Sequence, residues 1–181
     1  EGQFRDGLAD GTGRIVYADG NTYEGAWSAG VIQGVGVARY ANGVVYEGSF
    51  EAGRKHGQGV MSFPDGYRYD GEWVAGQRHG QGEARYPDQS IYVGQFANGE
   101  RHGFGVLTMP DGFRYEGEWL AGAITGNGVA TYANGDVYEG GFLDGRRHGQ
   151  GTLRYAAGEV VAGDWQDGTL TRPAGGNCRK A

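Results

Sequence analysis

Tyr69-Asp-Gly-Glu-Trp-Val-Ala-Gly-Gln-Arg-His-Gly-Gln-Gly-Glu-Ala-Arg-Tyr-Pro-Asp88 is the stretch from which the fold can be read. Its opening, Tyr-x-Gly-x-Trp, alternates with period two, which places Tyr69, Gly71 and Trp73 on one face of a strand. Asp70 and Glu72 then point the other way. Ala75-Gly76-Gln77-Arg78 reads as a turn. A second strand follows from Gly80-Gln-Gly82 to Tyr86, and the same reading makes Gly59, Met61 and Phe63 share a face in the neighbouring stretch. Pro-Asp-Gly or Ala-Asn-Gly next turns the chain back, proline presetting φ and glycine or asparagine accepting a positive φ. In Pro87-Asp88-Gln89 a glutamine replaces the glycine. That turn is expected to be strained or of another type.

This hairpin is one unit of a repeat. Tyrosine recurs at 23, 46, 69, 92, 115 and 138, always 23 residues apart, and Val161 holds the next place. Residues 1–22 form a partial copy and 161–172 a degenerate last one, so the array spans 1–172 and leaves 173–181 as a flexible tail. The third and eighth places are glycine in every copy, from Gly2 to Gly163 and from Gly7 to Gly168. The fifth place alternates Phe4, Trp27, Phe50, Trp73, Phe96, Trp119, Phe142, Trp165. We read this as a two-unit super-repeat in which larger and smaller rings interlock. One hairpin buries too little apolar surface to offset the ordering of its own residues, so neighbouring units must stack. The expected fold is all-β, an elongated, twisted single-layer antiparallel sheet without helix outside the tail.

Composition agrees. The 181 residues include 39 glycines, yet also 12 Tyr, 7 Phe and 4 Trp, an aromatic content foreign to disordered segments. A net charge of −6 argues against a nucleic-acid partner and against bulk adhesion to anionic membranes. The single cysteine, Cys178, excludes an intramolecular disulfide and leaves the compartment open. No apolar run is long enough to span a bilayer as a helix. The sequence opens at Glu1, inside a repeat, so further repeats or a signal peptide ahead of it are compatible with it.

Tyr-Glu-Gly-x-Trp/Phe, then x-x-Gly-x-x-x-Gly-x-Gly, then Tyr and Asp-Gly, resembles the MORN (membrane occupation and recognition nexus) repeat, here in a bacterial-type member. The resemblance covers nearly all of 1–172. It implies an array of β-hairpins with an aromatic-lined groove, acting as a scaffold or adaptor into whose groove partner segments dock. It also implies that some members dimerise, and it makes lipid binding an undependable property of the repeat. Two copies depart from the pattern and lack the basic loop, having Gly30-Val-Ile-Gln-Gly34 and Gly122-Ala-Ile-Thr-Gly126. Val161-Ala162 stands where Tyr-Glu is usual.

A single sheet has no second layer, so its rings must act as core while staying partly open. Tyr23, Trp27, Tyr40, Tyr46, Phe50, Tyr69, Trp73, Tyr86, Tyr92, Phe96, Tyr115 and Trp119 are therefore the expected lining of a partner-binding groove. The basic loops at Arg54-Lys55, Arg78, Arg101 and Arg146-Arg147 are candidate contacts for an anion or lipid headgroup, weighed against simple pairing with exposed glutamates. His56, His79, His102 and His148 recur at the eleventh place, about 10 Å apart in successive units, too far to gather around one metal. They are given a structural role at the turn. Gly-Gln-Gly lacks the helix and the Lys-Ser/Thr of a phosphate loop, and no nucleophile–base arrangement is visible. The reading is therefore a non-catalytic scaffold for a protein or peptide, with no cofactor and no metal. A lipid-headgroup or glycan module is the alternative, and self-association through terminal repeats or a sheet edge is expected to be open to the chain.

Overall fold

The computed structural model describes residues 1–174. Cys178 and the tail from 175 on lie outside the described residues, whereas Pro173 ends the last strand. The hairpins are β1 Gly2–Arg5 with β2 Leu8–Val16, β3 Thr22–Ser28 with β4 Val31–Arg39, β5 Val45–Glu51 with β6 Arg54–Ser62, and β7 Arg68–Val74 with β8 Gln77–Arg85. They continue as β9 Ile91–Ala97 and β10 Glu100–Thr108, β11 Arg114–Leu120 and β12 Ala123–Thr131, β13 Val137–Leu143 and β14 Arg146–Arg154, and β15 Val160–Gln166 and β16 Thr169–Pro173. All sixteen strands belong to one open antiparallel sheet whose order follows the chain, and no helix occurs among the described residues. Contacts group the chain into two units, Glu1–Asp88 with Phe96–Glu100, and Gln89–Gln95 with the residues from Arg101 on.

Each hairpin closes through a turn only two residues long. Val74 pairs with Gln77, so Ala75 and Gly76 alone make the connection, with φ of 50° and 90°. Two successive positive φ values define the turn that matches the twist of a hairpin, and Asn-Gly or Asp-Gly suits it best. This chain uses Asn98-Gly99, Asp144-Gly145 and Asp167-Gly168, but also alanine at 29, 52, 75 and 121, each near 50°. Alanine there costs roughly 1 kcal/mol because its Cβ crowds the neighbouring carbonyl. Ala75→Asn is therefore expected to raise stability by about 0.5–1 kcal/mol. Urea unfolding of the variant checks this, and an unchanged midpoint would contradict it.

The tight turn has a consequence that the sequence reading did not anticipate. The second strand begins directly after it, so Gln77, Arg78 and His79 lie in β8, and Arg54-Lys55-His56 in β6. The basic segments are strand, not loop. Their excess length is absorbed in a bulge. Gly71 faces Gly82 and Trp73 faces Arg78, so Glu72 alone stands opposite His79, Gly80 and Gln81. Gly80 takes a φ of 59° there, and the Glu72 carboxylate accepts the Gln81 N–H at 3.0 Å. The same bond recurs from Thr12 to Gln3, Phe104 to Gln95 and Asn127 to Glu118, at 2.9 Å each. The first glycine of Gly-x-Gly thus bends the strand, and the histidines sit in this bulge.

The second glycine has a different reason. A Cβ on Gly82 would stand 2.6 Å from Cε2 and Oη of Tyr69, and the facing Gly71 would meet Gln81 O at 2.6 Å. The tyrosine ring lies flat over this glycine pair, and its hydroxyl donates to Glu72 O at 2.9 Å. Tyr23, Tyr46, Tyr92, Tyr115 and Tyr138 donate likewise to the carbonyl three residues on, at 2.8–3.1 Å. Between repeats, Asn or Asp at the turn accepts the N–H two residues later, as Asp65 does from Tyr67 at 2.9 Å. Gln89 keeps this path at a φ of 70°, so the turn is strained, not rebuilt.

Candidate functional site

The tyrosines and the fifth-place rings form a ladder. In the first unit Tyr46 meets Phe50 edge-on at 5.0 Å and Trp73 of the next repeat at 5.3 Å, and Tyr69 meets Trp73 at 5.2 Å and Phe96 at 5.0 Å. In the second unit Tyr115 does the same with Trp119 and Phe142, at 5.5 and 5.1 Å. Edge-to-face pairs of this kind add to the burial they bring. Tryptophan contributes one more bond, because its Nε1–H reaches the strand of the preceding repeat. Trp73 donates to Gly59 O at 3.0 Å and Trp119 to Gly105 O at 3.2 Å.

Sealing of this ladder decides what a partner could touch. Of the twelve rings expected to line a groove, Tyr23, Tyr46, Phe50, Tyr69, Trp73, Tyr92, Phe96, Tyr115 and Trp119 are at most 6% exposed. Those nine rings are core. Burial pushes the Tyr46 and Tyr115 hydroxyls up to about 12, and lifts those of Tyr23 and Tyr138 as well. Burial raises Tyr69 further, with the nearby Arg78 charge opposing it. Only Trp27, Tyr40 and Tyr86 of the expected lining remain half-buried.

A second row of rings that reach solvent comes from the eighteenth and twenty-second places, beside the inter-repeat turns, while Phe4 and Phe104, 68% and 53% exposed, lie outside that row. In the first unit Phe63 and Tyr67 lie 5.3 Å apart, and Tyr67 and Tyr86 5.4 Å apart, all half-buried. In the second, Phe113 and Tyr132 lie 5.8 Å apart. The sequence reading named Tyr40 and Tyr86 but missed Phe63, Tyr67, Phe113 and Tyr132. Their flanking position around Pro/Ala-Asp/Asn-Gly was the available signal. Each unit has a groove at this row. One of about 460 Å³ is lined by Lys55, Met61, Phe63, Tyr67, Tyr69, Trp73 and Arg78. Another of about 680 Å³ is lined by Met109, Phe113, Tyr132, Arg147 and Leu153.

The six candidate cations separate by strand alternation. Arg54 and Arg146 are exposed, opposite Glu51 and Leu143 beside the turns. Lys55, Arg78, Arg101 and Arg147, at the tenth place, lie over the rings instead. Arg101 is 4.3 Å from the centre of Trp119 and Arg147 4.4 Å from that of Trp165. Arg78 lies over Tyr67, Tyr69 and Phe96 at 5.7–5.8 Å. Their guanidinium groups also cap the next hairpin turn, donating to Gly99 O at 2.5 Å, Gly122 O at 2.9 Å and Gly168 O at 2.8 Å. Where the tenth place is Ile32 or Ile124, the next repeat has phenylalanine, and where it is Lys55, Arg101 or Arg147 it has tryptophan. A cation over an indole face is the favourable pairing. Interlocking of ring sizes is thus joined by a cation–ring match, with Ala9 and Arg78 as the exceptions.

Among the histidines, His56 Nδ1 lies 3.3 Å from Glu51 Oε2, while His148 Nδ1 is buried without a hydrogen-bond partner. On the reverse face of the second unit, a trough of about 730 Å³ has a glycine floor and carries Phe104, Glu116, Glu118 and Glu139. Glu116 pairs there with Arg114 at 2.6 Å, and Glu118 is bound to Asn127 N.

Glycine-paired, tyrosine-covered hairpins repeated in register define an open-sheet repeat protein built around an aromatic ladder. The MORN repeat model matches residues 1–22, 23–45, 46–66, 69–91, 92–114, 115–137 and 138–160, and the chain belongs to the MORN-repeat family. No curated protein matches. Among solved structures, the TCP10 domain of Danio rerio CPAP is similar in fold at 13% identity and a TM-score of 0.50, covering 88% of this chain and 74% of that one. The SAS-4 (dCPAP) TCP domain of Drosophila melanogaster, solved in complex with a proline-rich motif of Ana2, is 15% identical with a TM-score of 0.46, covering 83% and 77%.

Proposed function

We propose that this chain is a non-catalytic binding scaffold that holds an extended segment of a partner protein along the outer aromatic row of its repeat array, residues 1–172. One observation carries the reading. With most of the ladder rings sealed as core, a second row of half-buried rings at the inter-repeat turns is left beside open grooves in each unit. Half-buried aromatics combine a large apolar area with few rotamers to freeze, which suits them to contact surfaces. The grooves are open and shallow, which fits a chain lying along them better than an enclosed small molecule.

Selection of peptides on the whole chain from a random library tests this. The double variant Phe63→Ala/Tyr67→Ala is expected to lose at least about tenfold in affinity for the selected peptides while keeping its far-ultraviolet circular dichroism, because these side chains project from the sheet and are not its core. Unchanged affinity in the folded double variant would dismiss the groove.

A further inference from the structure

Lys55 is the only lysine among the described residues, and it occupies the tenth place that Arg78, Arg101 and Arg147 hold in other repeats. Those three guanidinium groups are committed, each reaching across to the next hairpin turn and bonding the carbonyl 21 residues ahead. The carbonyl in the corresponding place for Lys55 is that of Gly76. A lysine has no fork to reach it, and the Lys55 ammonium makes one hydrogen bond, to Tyr40 Oη at 3.5 Å. Its ammonium instead hangs 5.5–5.7 Å from the centres of Tyr40, Tyr46 and Trp73. The groove of about 460 Å³ opens at this point, with Lys55, Trp73, Tyr67 and Gly76 all in its wall. Arg78, the other cation of that wall, is already bound to Tyr67 Oη and Gly99 O.

We infer that Lys55 is the specificity-determining residue of the groove in the first unit, reading a carboxylate side chain, aspartate or glutamate, on the docked peptide. This rests on the reading of the groove as a peptide site. An ammonium held among aromatic rings keeps unused donors, and a carboxylate entering from the groove supplies charge-assisted bonds that neither the rings nor Tyr40 provide. Ring edges around it carry partial positive charge and accept an anion nearby, while the faces hold the lysine stem. Substituting arginine would restore the bond to the next turn carbonyl and fill the space that the lysine leaves.

The test uses the full chain with paired peptides from the selection that differ only as glutamate or glutamine, and with phenylacetate as a minimal carboxylate probe. The glutamate peptide is expected to bind about tenfold tighter. Lys55→Arg, which places the residue of three other repeats, and Lys55→Met are both expected to erase that preference while leaving the glutamine peptide's affinity in place. Phenylacetate is expected to shift the Lys55 ε-methylene resonances in the wild-type chain. A preference that survives both substitutions, or ε-methylene resonances that stay still under phenylacetate, would overturn the assignment. Resonances that move only with phosphatidylserine vesicles would overturn it too, in favour of a lipid. Failure of the groove itself reads differently: Phe63→Ala/Tyr67→Ala would then leave the glutamine peptide's affinity untouched, while the phenylacetate response still reports on Lys55.

Discussion

Gly82→Ala is expected to destabilise the first unit by about 3 kcal/mol or more, at or beyond the upper end of what inserting one methyl into a packed site costs. The new Cβ would stand 2.6 Å from the Tyr69 ring and hydroxyl. That ring has nowhere to go: it is 0% exposed, held edge-on by Trp73 and Phe96, and tied through its hydroxyl to Glu72 O. Conformation is a minor part of the cost, because Gly82 has no positive φ. Gly76→Ala is the contrast. No atom lies within 4 Å of a Cβ there, and only its φ of 90° opposes the change, at roughly 1 kcal/mol. Tyr69→Ala alone is expected to cost about 3–5 kcal/mol. Adding Gly82→Ala to it should then be nearly harmless, because the clash and the lost ring are one interaction. Urea midpoints of the two single variants and the double provide the cycle. Strict additivity, or a cost for Gly82→Ala near that of Gly76→Ala, would show that the ring does not rest on the glycine pair.

This contact also marks where the sequence was legible. The 23-residue phase, the period-two alternation and the glycines of the turns name the hairpin and the sheet, because each is a local backbone requirement. Tyr69, Gly71 and Trp73 were rightly placed together. Which of those rings stay open was not legible, since closure depends on the neighbouring repeat: Tyr46 and Tyr69 are sealed by Trp73 and Phe96 across the repeat boundary. The basic segments were misplaced as loops because Gly-x-Gly signals a break, and only the pairing of Val74 with Gln77 shows that the break lies inside a strand. Phe63 and Tyr67 were not named as groove lining. They flank the inter-repeat turn, just outside β6 and β7, where solvent reaches their half-buried rings.

Alkaline solution should unfold the array steeply. Tyr46 and Tyr115 hold their protons up to about 12, and Tyr23, Tyr69 and Tyr138 are raised by the same burial, whereas an unfolded chain releases them near 10. The neutral hydroxyl is the form the fold keeps, so the unfolded state binds fewer protons once pH passes 10. Stability is therefore intact below about pH 10 and falls as pH climbs from there through the folded-state values. Tyr46, Tyr69 and Tyr115 each remove about 1.4 kcal/mol per pH unit in that window. Acting together one unit above 10, these three remove about 4 kcal/mol, close to the whole stability of a marginal domain. Urea midpoints at pH 8, 10 and 11.5, with tyrosinate absorbance followed in parallel, read the effect. Ionisation of the buried ladder tyrosines and unfolding are expected to coincide. Tyr46→Phe supplies the internal control: it loses the bond to Ser49 O, about 1 kcal/mol at pH 8, but cannot ionise. Its deficit against the wild-type chain should shrink above pH 10 and change sign by pH 11.5. A Tyr46→Phe deficit that stays constant as pH rises would mean that the Tyr46 hydroxyl is reached by solvent and does not form the core described.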